Sequence, residues 1–315
     1  MSVRWGFIGA GYVASRAMAP AVHAAQGATL RAVASRDAAR SSELEPEVVH
    51  DSYDDLISDS TVDAVYISLT NVQHLEWVIK ALDAGKHVLC EKPLALDATE
   101  VRSMIDAADR NQRLLVEAVW TRWQPRMIRL AEVVRRGDIG ELVSISSAFT
   151  FEGDLVGNYR SLPEFGGGAL LDVGCYQAHL WMMLLEEKIN FDLTSVDRTM
   201  GSTGVDLTTS ASARLNSNVD VRALCSFVLP AQQSIAVAGT AATMRTGEGE
   251  AFTLWKQSSS LLIGDTVEQF PPDDAFALMV EEVSDNIRVG SAPRLPMTSS
   301  LRVAEMLDSI RDFKS

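Results

Sequence analysis

The chain of 315 residues is 47% hydrophobic and 22% charged, the balance of a soluble globular protein long enough to bury two full cores. Its formal net charge is −14 and both halves are net acidic. That argues against nucleic acid as the main ligand, because neutralising phosphates takes clustered cations.

From the amino terminus to residue 118, apolar runs of strand length alternate with helix-like stretches. The runs are Arg4–Ile8, Thr29–Ala34, Val48–His50, Ala64–Leu69, His87–Cys90 and Leu114–Ala118. Between them lie Tyr12–Gln26, Asp37–Leu44, Tyr53–Ser58, Gln73–Ala84 and Asp97–Asn111. Strands this apolar, separated by helices, predict a parallel sheet covered on both faces, a doubly wound α/β domain. In the last helix Val101, Met104, Ile105 and Ala108 share one face.

The pattern changes after Trp120. A helix over Pro125–Arg136, a strand over Leu142–Phe151 and a helix running from the Gly166–Gly168 triplet through Glu186 come first. Then Leu193–Thr199, Thr208–Leu215, Val219–Val228, Ser234–Ala238, Phe252–Trp255 and Ser260–Ile263 follow without helices between them, which predicts antiparallel pairing in a separate sheet. Helices Ala275–Val289 and Thr298–Phe313 close the chain. The expected domains are residues 1–120, a Rossmann unit, and residues 121–315, an α+β unit whose last helices can pack back on the first.

No apolar run approaches the roughly 20 residues that span a bilayer, so no membrane partner is expected. The amino-terminal segment has none of the three zones of a secretory signal, and a cytoplasmic location is expected. Cys90, Cys175 and Cys225 are far apart, and the five histidines show no HxxxH spacing, so no metal is expected.

The first apolar run leads directly into Gly9-Ala10-Gly11-Tyr12-Val13-Ala14, a G-x-G-x-x-A sequence between a strand and a helix. Gly9 allows the tight turn, Gly11 leaves room for a pyrophosphate, and Ala14 lets the helix pack closely on the sheet. The free N–H groups of that helix start attract anions. Dinucleotide binding follows. At the end of the second run, NAD enzymes usually carry an acid and NADP enzymes a cation. Here Ser35 takes the acid's place, followed by Arg36 and Asp37, with Arg40 one turn on. Arg36 can bind a ribose phosphate, or it can be a solvated charge while Asp37 serves as the acid. The arrangement favours NADP over NAD.

Two further motifs carry chemistry. Glu91-Lys92-Pro93 follows the fifth run, at the carboxyl end of a strand where an open α/β sheet faces its ligand. Asp172-Val173-Gly174-Cys175-Tyr176 follows the glycine triplet, with Asp172 and Tyr176 on one helical face. Read alone, Asp172 could cap a helix starting near Gly174, and Tyr176 could simply pack its ring. The two motifs together, with VDAVYISLTNVQHLEWVIKALDAGKHVLCEKPLAL, EAVWTRWQP and GDIGELVSISSAF, resemble the glucose–fructose oxidoreductase/inositol dehydrogenase (Gfo/Idh/MocA) family over essentially the whole chain.

That resemblance implies a Rossmann domain followed by a domain with a large, open, mostly antiparallel sheet, one face of which packs on a second subunit in a homodimer or homotetramer. It implies hydride transfer between NAD(P) and a carbinol carbon of a sugar, sugar derivative or cyclic diol. Carried over by position, Lys92 is the lysine of the motif, Asp172 holds a substrate hydroxyl, and Tyr176 exchanges the hydroxyl proton. Tyrosine at 176 and the WTRW segment resemble the branch with dihydrodiol dehydrogenase and some aldose dehydrogenases. Tyr12, Val13, Thr70, Asn71, His74 and Glu91 fall with the cofactor, although Thr70 stands where the family commonly has proline. Trp120, Arg122 and Trp123 fall at the substrate pocket, with core packing an equal reading for the tryptophans, and His179, one turn beyond Tyr176, is structural or at the pocket rim. Retention of both motifs favours an enzyme over a nucleotide-sensing regulator of the same fold. A short-chain dehydrogenase would need lysine at position 180, which is Leu180.

Overall fold

The computed structural model describes residues 2–185, 189–247, 249 and 251–314. They form two compact units, one of residues 1–120 and 274–301, the other of residues 121–273 and 302–315.

In the first unit β1 (Val3–Ile8), β2 (Ala28–Ala34), β3 (Val48–His50), β4 (Ala64–Ile67), β5 (His87–Glu91) and β6 (Leu115–Ala118) make one parallel sheet in the order β3-β2-β1-β4-β5-β6. Every residue of β4 and β6 is buried, as expected of strands covered on both faces. The helical connections are a π-turn over Ala14–Met18 continuing into α1 (Ala19–Ala24), then α2 (Ala38–Ser42), α3 (Tyr53–Ser58), α4 (Asn71–Asp83) and α5 (Ala98–Asn111). Side chains that compete with the backbone start three of them. Asp37 accepts from Ala39 and Arg40 N–H, Ser52 from Asp55 N–H, and Asp97 from Glu100 N–H. After α4, Gly85 adopts φ +78°, the left-handed residue its position calls for. Strand order reverses between β1 and β4, so the loops leaving these two strands diverge and open a crevice at their carboxyl ends.

The second unit opens with α6 (Pro125–Arg136), which starts at proline and stops at Gly137, φ +73°. It continues with β7 (Leu142–Glu152), a π-turn over Leu170–Gly174 running into α7 (Cys175–Leu185), and then β8 (Phe191–Met200), β9 (Asp206–Leu215), β10 (Val219–Ser226), β11 (Val228–Gly239), β12 (Thr243–Thr246), β13 (Ser259–Ile263) and β14 (Thr266–Phe270). The eight strands lie in the order β14-β13-β12-β11-β7-β10-β9-β8, antiparallel except for the β7–β10 pair. In register across the sheet, Ala213, Val221, Ile145, Val237 and Met244 are buried on the face bearing the helices. The alternate row, through Arg222, Ser146, Ala236 and Arg245, is exposed. The predicted fold class is therefore the observed one.

Several local expectations need correction. The run Val219–Val228 is two strands, because Phe227 breaks the ladder. Its N–H donates to Leu207 O at 2.9 Å and its carbonyl accepts from Gly153 N–H at 2.9 Å. Phe252–Trp255 is a turn rather than a strand, held by Phe252 N–H donating to Gln233 Oε1 and by Arg126 Nη2 donating to Ala251 O. The short, largely polar β12 and β14 carry no alternation strong enough to read. The helix expected through Glu186 runs to Leu185, and Glu186 lies outside the described residues.

The chain ends with α8 (Ala275–Val289) and α9 (Met297–Asp312). Within the first unit α8 packs on α1, β1 and β2. Trp5, the largest side chain of β1, is wholly buried and donates from Nε1 to the equally buried Ser284 Oγ at 3.1 Å. Removing that acceptor leaves an indole N–H unsatisfied, which costs about 1–3 kcal/mol. Ser284→Ala should therefore lower the urea midpoint with an unchanged m-value, and an unaltered midpoint would show that α8 is held without this bond.

Candidate active site

The β1–α1 loop has the form its sequence demands. Gly9 adopts φ +99°, and a Cβ there would collide with the Ser68 carbonyl just past β4. Gly11 differs: the nearest atom to a Cβ placed on it is Ser68 Oγ at 3.7 Å. The protein itself leaves that position room for a side chain, so a glycine there keeps the backbone open to a ligand. Ala10 and Ala14 are buried, and Tyr12 is largely exposed at 72%. Arg40 reaches back from α2 to donate to Ala10 O at 2.6 Å, tying the second helix to the glycine loop.

At the end of β2, Ser35 Oγ donates to Asp37 O at 2.7 Å and lies 2.8 Å from Ser41 Oγ. Arg36 is exposed. Asp37 already accepts two backbone N–H groups at the start of α2, so its carboxylate has a structural partner before any ribose arrives.

Thr70 has φ −73° and ψ 152°, a conformation proline also adopts, so the departure from proline leaves the turn intact. Asn71 begins α4 and is buried at 8% exposure. His74 is completely buried behind these loops, with Nδ1 at 3.0 Å from Pro93 O and Nε2 at 3.3 Å from Leu69 O. Burial holds its pKa below the usual histidine value despite those carbonyls. The ring is neutral and has one proton to donate, and the shorter contact assigns it to Pro93. Through Pro93 O, His74 ties α4 to the loop after β5.

The Lys92–Pro93 bond is cis. Its loop is fixed from below by Glu117, a buried carboxylate of β6 that accepts from Leu94 N–H at 3.0 Å. Glu91 accepts from Tyr66 Oη at 2.7 Å. Burial pushes the Glu91 carboxyl up to about 7, against the pull of the tyrosine and of neighbouring Lys92.

In the second unit the motif residues sit on the π-turn and the first turn of α7. A π-turn inserts one residue into the helical ladder and often marks a functional segment. Asp172 is inside this turn and does not cap the helix. Asp206, from β9, does that by accepting from Leu170 N–H at 2.9 Å and Thr209 Oγ1 at 2.6 Å. Asp172 is buried at 8% and accepts instead from Arg160 Nε at 2.7 Å. The Tyr176 ring packs against Phe149 and Phe252, centroids 5.9 and 6.1 Å away, and these two stack on each other at 5.4 Å. The three rings form one cluster, with both phenylalanines on the same side of the tyrosine ring. Gly174 lies against Leu170 and the Cys225 sulfur, which lets the helix approach β10.

The remaining pocket candidates divide. Trp120 stacks on Phe276 of α8 in the first unit, centroids 5.9 Å apart. Arg122, Trp123 and His179 belong to the second unit, where Trp123 and His179 are buried and Arg122 Nη1 donates weakly to His179 O at 3.4 Å. Sequence reading missed Arg160, Phe149, Phe252, Glu117 and Asp206. The glycine triplet was visible, but nothing in the periodicity says which residue it folds around. Among the described residues no group of His, Cys, Asp and Glu is placed to hold a metal, and no helix is long and apolar enough to cross a membrane.

A Rossmann sheet with this glycine loop, joined in one chain to an open-sheet unit bearing a buried Asp–Tyr pair, defines the two-domain oxidoreductases. The chain belongs to the GFO/IDH/MocA family: residues 3–118 match its oxidoreductase domain with NAD-binding Rossmann fold, and residues 127–245 match its C-terminal domain. Among its relatives, D-xylose 1-dehydrogenase (NADP(+)) 2 of Haloferax volcanii is 32% identical, covering 97% of this chain and 95% of its own. Trans-1,2-dihydrobenzene-1,2-diol dehydrogenase of Mus musculus is 30% identical, covering 99% and 96%. The crystal structure of KijD10, a 3-ketoreductase from Actinomadura kijaniata in complex with NADP and TDP-benzene, superposes with a TM-score of 0.91 at 28% identity, covering 99% and 97%.

The raised Glu91 pKa has a measurable consequence. The folded chain holds this proton more tightly than the unfolded one, so stability is greatest below the unfolded value and is lost as pH rises through about 7. Between roughly pH 5 and 8, the ligand-free wild type should lose more stability in denaturant titrations than Glu91→Gln. Parallel pH profiles for the two would place the Glu91 proton in solvent-like surroundings.

Proposed function

We propose that the chain is an NADP(H)-dependent oxidoreductase that interconverts a hydroxyl-bearing carbon and a carbonyl on a sugar, sugar derivative or cyclic diol, with Tyr176 as acid/base and Lys92 as its electrostatic partner. The observation that carries this reading is the relief of Asp172 from helix capping by Asp206, beside a tyrosine whose ring packs against the stacked pair Phe149 and Phe252. A buried carboxylate and phenol kept at the start of one helix need a reason beyond folding.

NADP fits the residues present. Gly11 leaves its backbone approachable, and the helix start beyond it offers N–H groups to a pyrophosphate. Arg36, exposed next to Ser35, would hold the ribose phosphate, with Arg40 already anchored to the same loop. The capping duty of Asp37 weakens the competing NAD reading, in which that carboxylate would accept from ribose hydroxyls. Two relatives of known chemistry, the xylose dehydrogenase and the 3-ketoreductase, carry NADP in their names.

When bound, the nicotinamide supplies or accepts the hydride. The protein handles the proton. A free phenol with a pKa near 10 is a poor base at neutral pH. An adjacent ammonium favours the phenolate, which is the role assigned to Lys92. In the reducing direction Tyr176 protonates the nascent alkoxide while Lys92 stabilises its charge. Asp172 accepts a substrate hydroxyl and so fixes which carbon faces the cofactor. Solved variants of the ketoreductase exchange a lysine and a tyrosine separated by the same number of residues as Lys92 and Tyr176 here, which supports pairing these two. The exposed sheet row through Arg222 and Arg245 is the face assigned to a second copy in a dimer or tetramer. The compartment assigned is the cytoplasm.

Tyr176→Phe and Lys92→Ala should each lower turnover by at least about 100-fold on a panel of aldoses, ketosugars and dihydrodiols while leaving NADP binding within a few-fold of wild type. Near-normal turnover in either variant would remove that residue from the chemistry. Arg36→Ala should cut the preference for NADP over NAD by about tenfold or more, and an unchanged ratio of kcat/KM for the two cofactors would reassign the ribose site.

A further inference from the structure

The glycine triplet before the catalytic helix has a purpose of its own, and it concerns Arg160. Gly168 N–H donates to the Arg160 carbonyl at 2.9 Å, and a Cβ on Gly167 would collide with that same carbonyl. The chain can lie this close only where residue 167 has no side chain. Gly168 itself adopts φ +118°, and a Cβ on it would strike the Asp206 carboxylate that caps the helix. On the other side, Arg160 N–H donates to Asn158 Oδ1 at 3.1 Å, starting a short 3-10 turn over Tyr159–Ser161. Backbone and side chain are both held, since the guanidinium lies 4.7 Å from the centre of the Tyr159 ring. From this seat Nε donates to Asp172 Oδ2 at 2.7 Å.

We propose that Arg160 is a positioning residue of the active site, held by the glycine triplet so that it keeps the Asp172 carboxylate ionised and turned to accept a substrate hydroxyl. The proposal rests on the reading of Asp172 as the group that binds that hydroxyl. A carboxylate at 8% exposure needs a partner to remain charged. The arginine is itself the right kind of partner: burial opposes its charge, and the charge and hydrogen bond of Asp172 favour it. The charge-assisted bond from Nε also fixes the carboxylate's rotamer. The ion pair is therefore part of the substrate site, and the loop between β7 and α7 sets substrate affinity through an arginine that need not touch the substrate.

A double-mutant cycle separates this from a purely structural ion pair. Arg160→Met, Asp172→Asn and the double variant are assayed with NADP+ and with D-xylose and trans-1,2-dihydrobenzene-1,2-diol as probes, alongside thermal melts and NADP+ titrations. Arg160→Met is expected to raise KM by about tenfold or more, with kcat changed less and NADP+ affinity unchanged. In the Asp172→Asn background the same change should cost no more than about twofold, because the group it acts through is already gone. Arg160→Lys, which keeps the charge without the planar fork, should recover part of the KM and carries the cycle if the methionine variant does not fold. Equal losses from Arg160→Met in both backgrounds, or a KM that does not move, would overturn the proposal. A wild type inactive on both probes would strike the parent reading of function instead, and this proposal with it.

Discussion

The parallel pairing of β1 with β4 sets the layout of the first unit's candidate site. These strands are neighbours at the point where the sheet order reverses, and the loop leaving β1 turns so tightly over Ser68 that position 9 cannot carry a side chain. That turn delivers the start of α1 to the carboxyl edge of the sheet. The same edge receives the loops after β4 and β5, and the latter loop is tied to α4 by buried His74 and anchored by Glu117 beneath it. The candidate cofactor residues are therefore consequences of one strand order. Gly9 is required by the fold, whereas Gly11 is not crowded by the protein at all. The two glycines of one motif differ in their surroundings, and the proposed dinucleotide gives the second its reason.

The second unit solves a comparable problem with different parts. A helix start must present Asp172 and Tyr176 without consuming them in its own capping. The π-turn, Asp206 reaching across from β9, and the stacked phenylalanines against the tyrosine ring accomplish this together. Glycine again marks the closest approach, here of residues 167 and 168 to Arg160. Three carboxyl groups near these motifs have defined partners: Glu91 with Tyr66, Glu117 with the Leu94 amide, and Asp172 with Arg160.

The first unit was legible because its signals are local. Buried strands read as apolar runs, helices began at Asp37, Ser52 and Asp97, and Gly9-Ala10-Gly11 lay between a strand and a helix. The second was less so, because its strands end for non-local reasons. Nothing near Phe227 shows that Leu207 and Gly153 take its backbone groups, and nothing near Phe252 shows that Gln233 and Arg126 hold it in a turn. The candidate site divides in the same way. Lys92, Asp172 and Tyr176 stand in recognisable motifs, while Arg160 and Asp206 reach Asp172 and the helix start from loops and strands distant in sequence. The relief of Asp172 from capping could be found only in three dimensions.

The most direct test compares wild type with Gly11→Ala in the same two measurements, thermal unfolding without ligand and titration with NADPH. The position has space for a methyl group in the protein alone, and under the proposed function that space belongs to the pyrophosphate. The variant should melt with the wild type and bind NADPH at least about tenfold more weakly. Equal NADPH affinity in two equally stable proteins would contradict the assignment of this loop to the dinucleotide, and with it the account of the site.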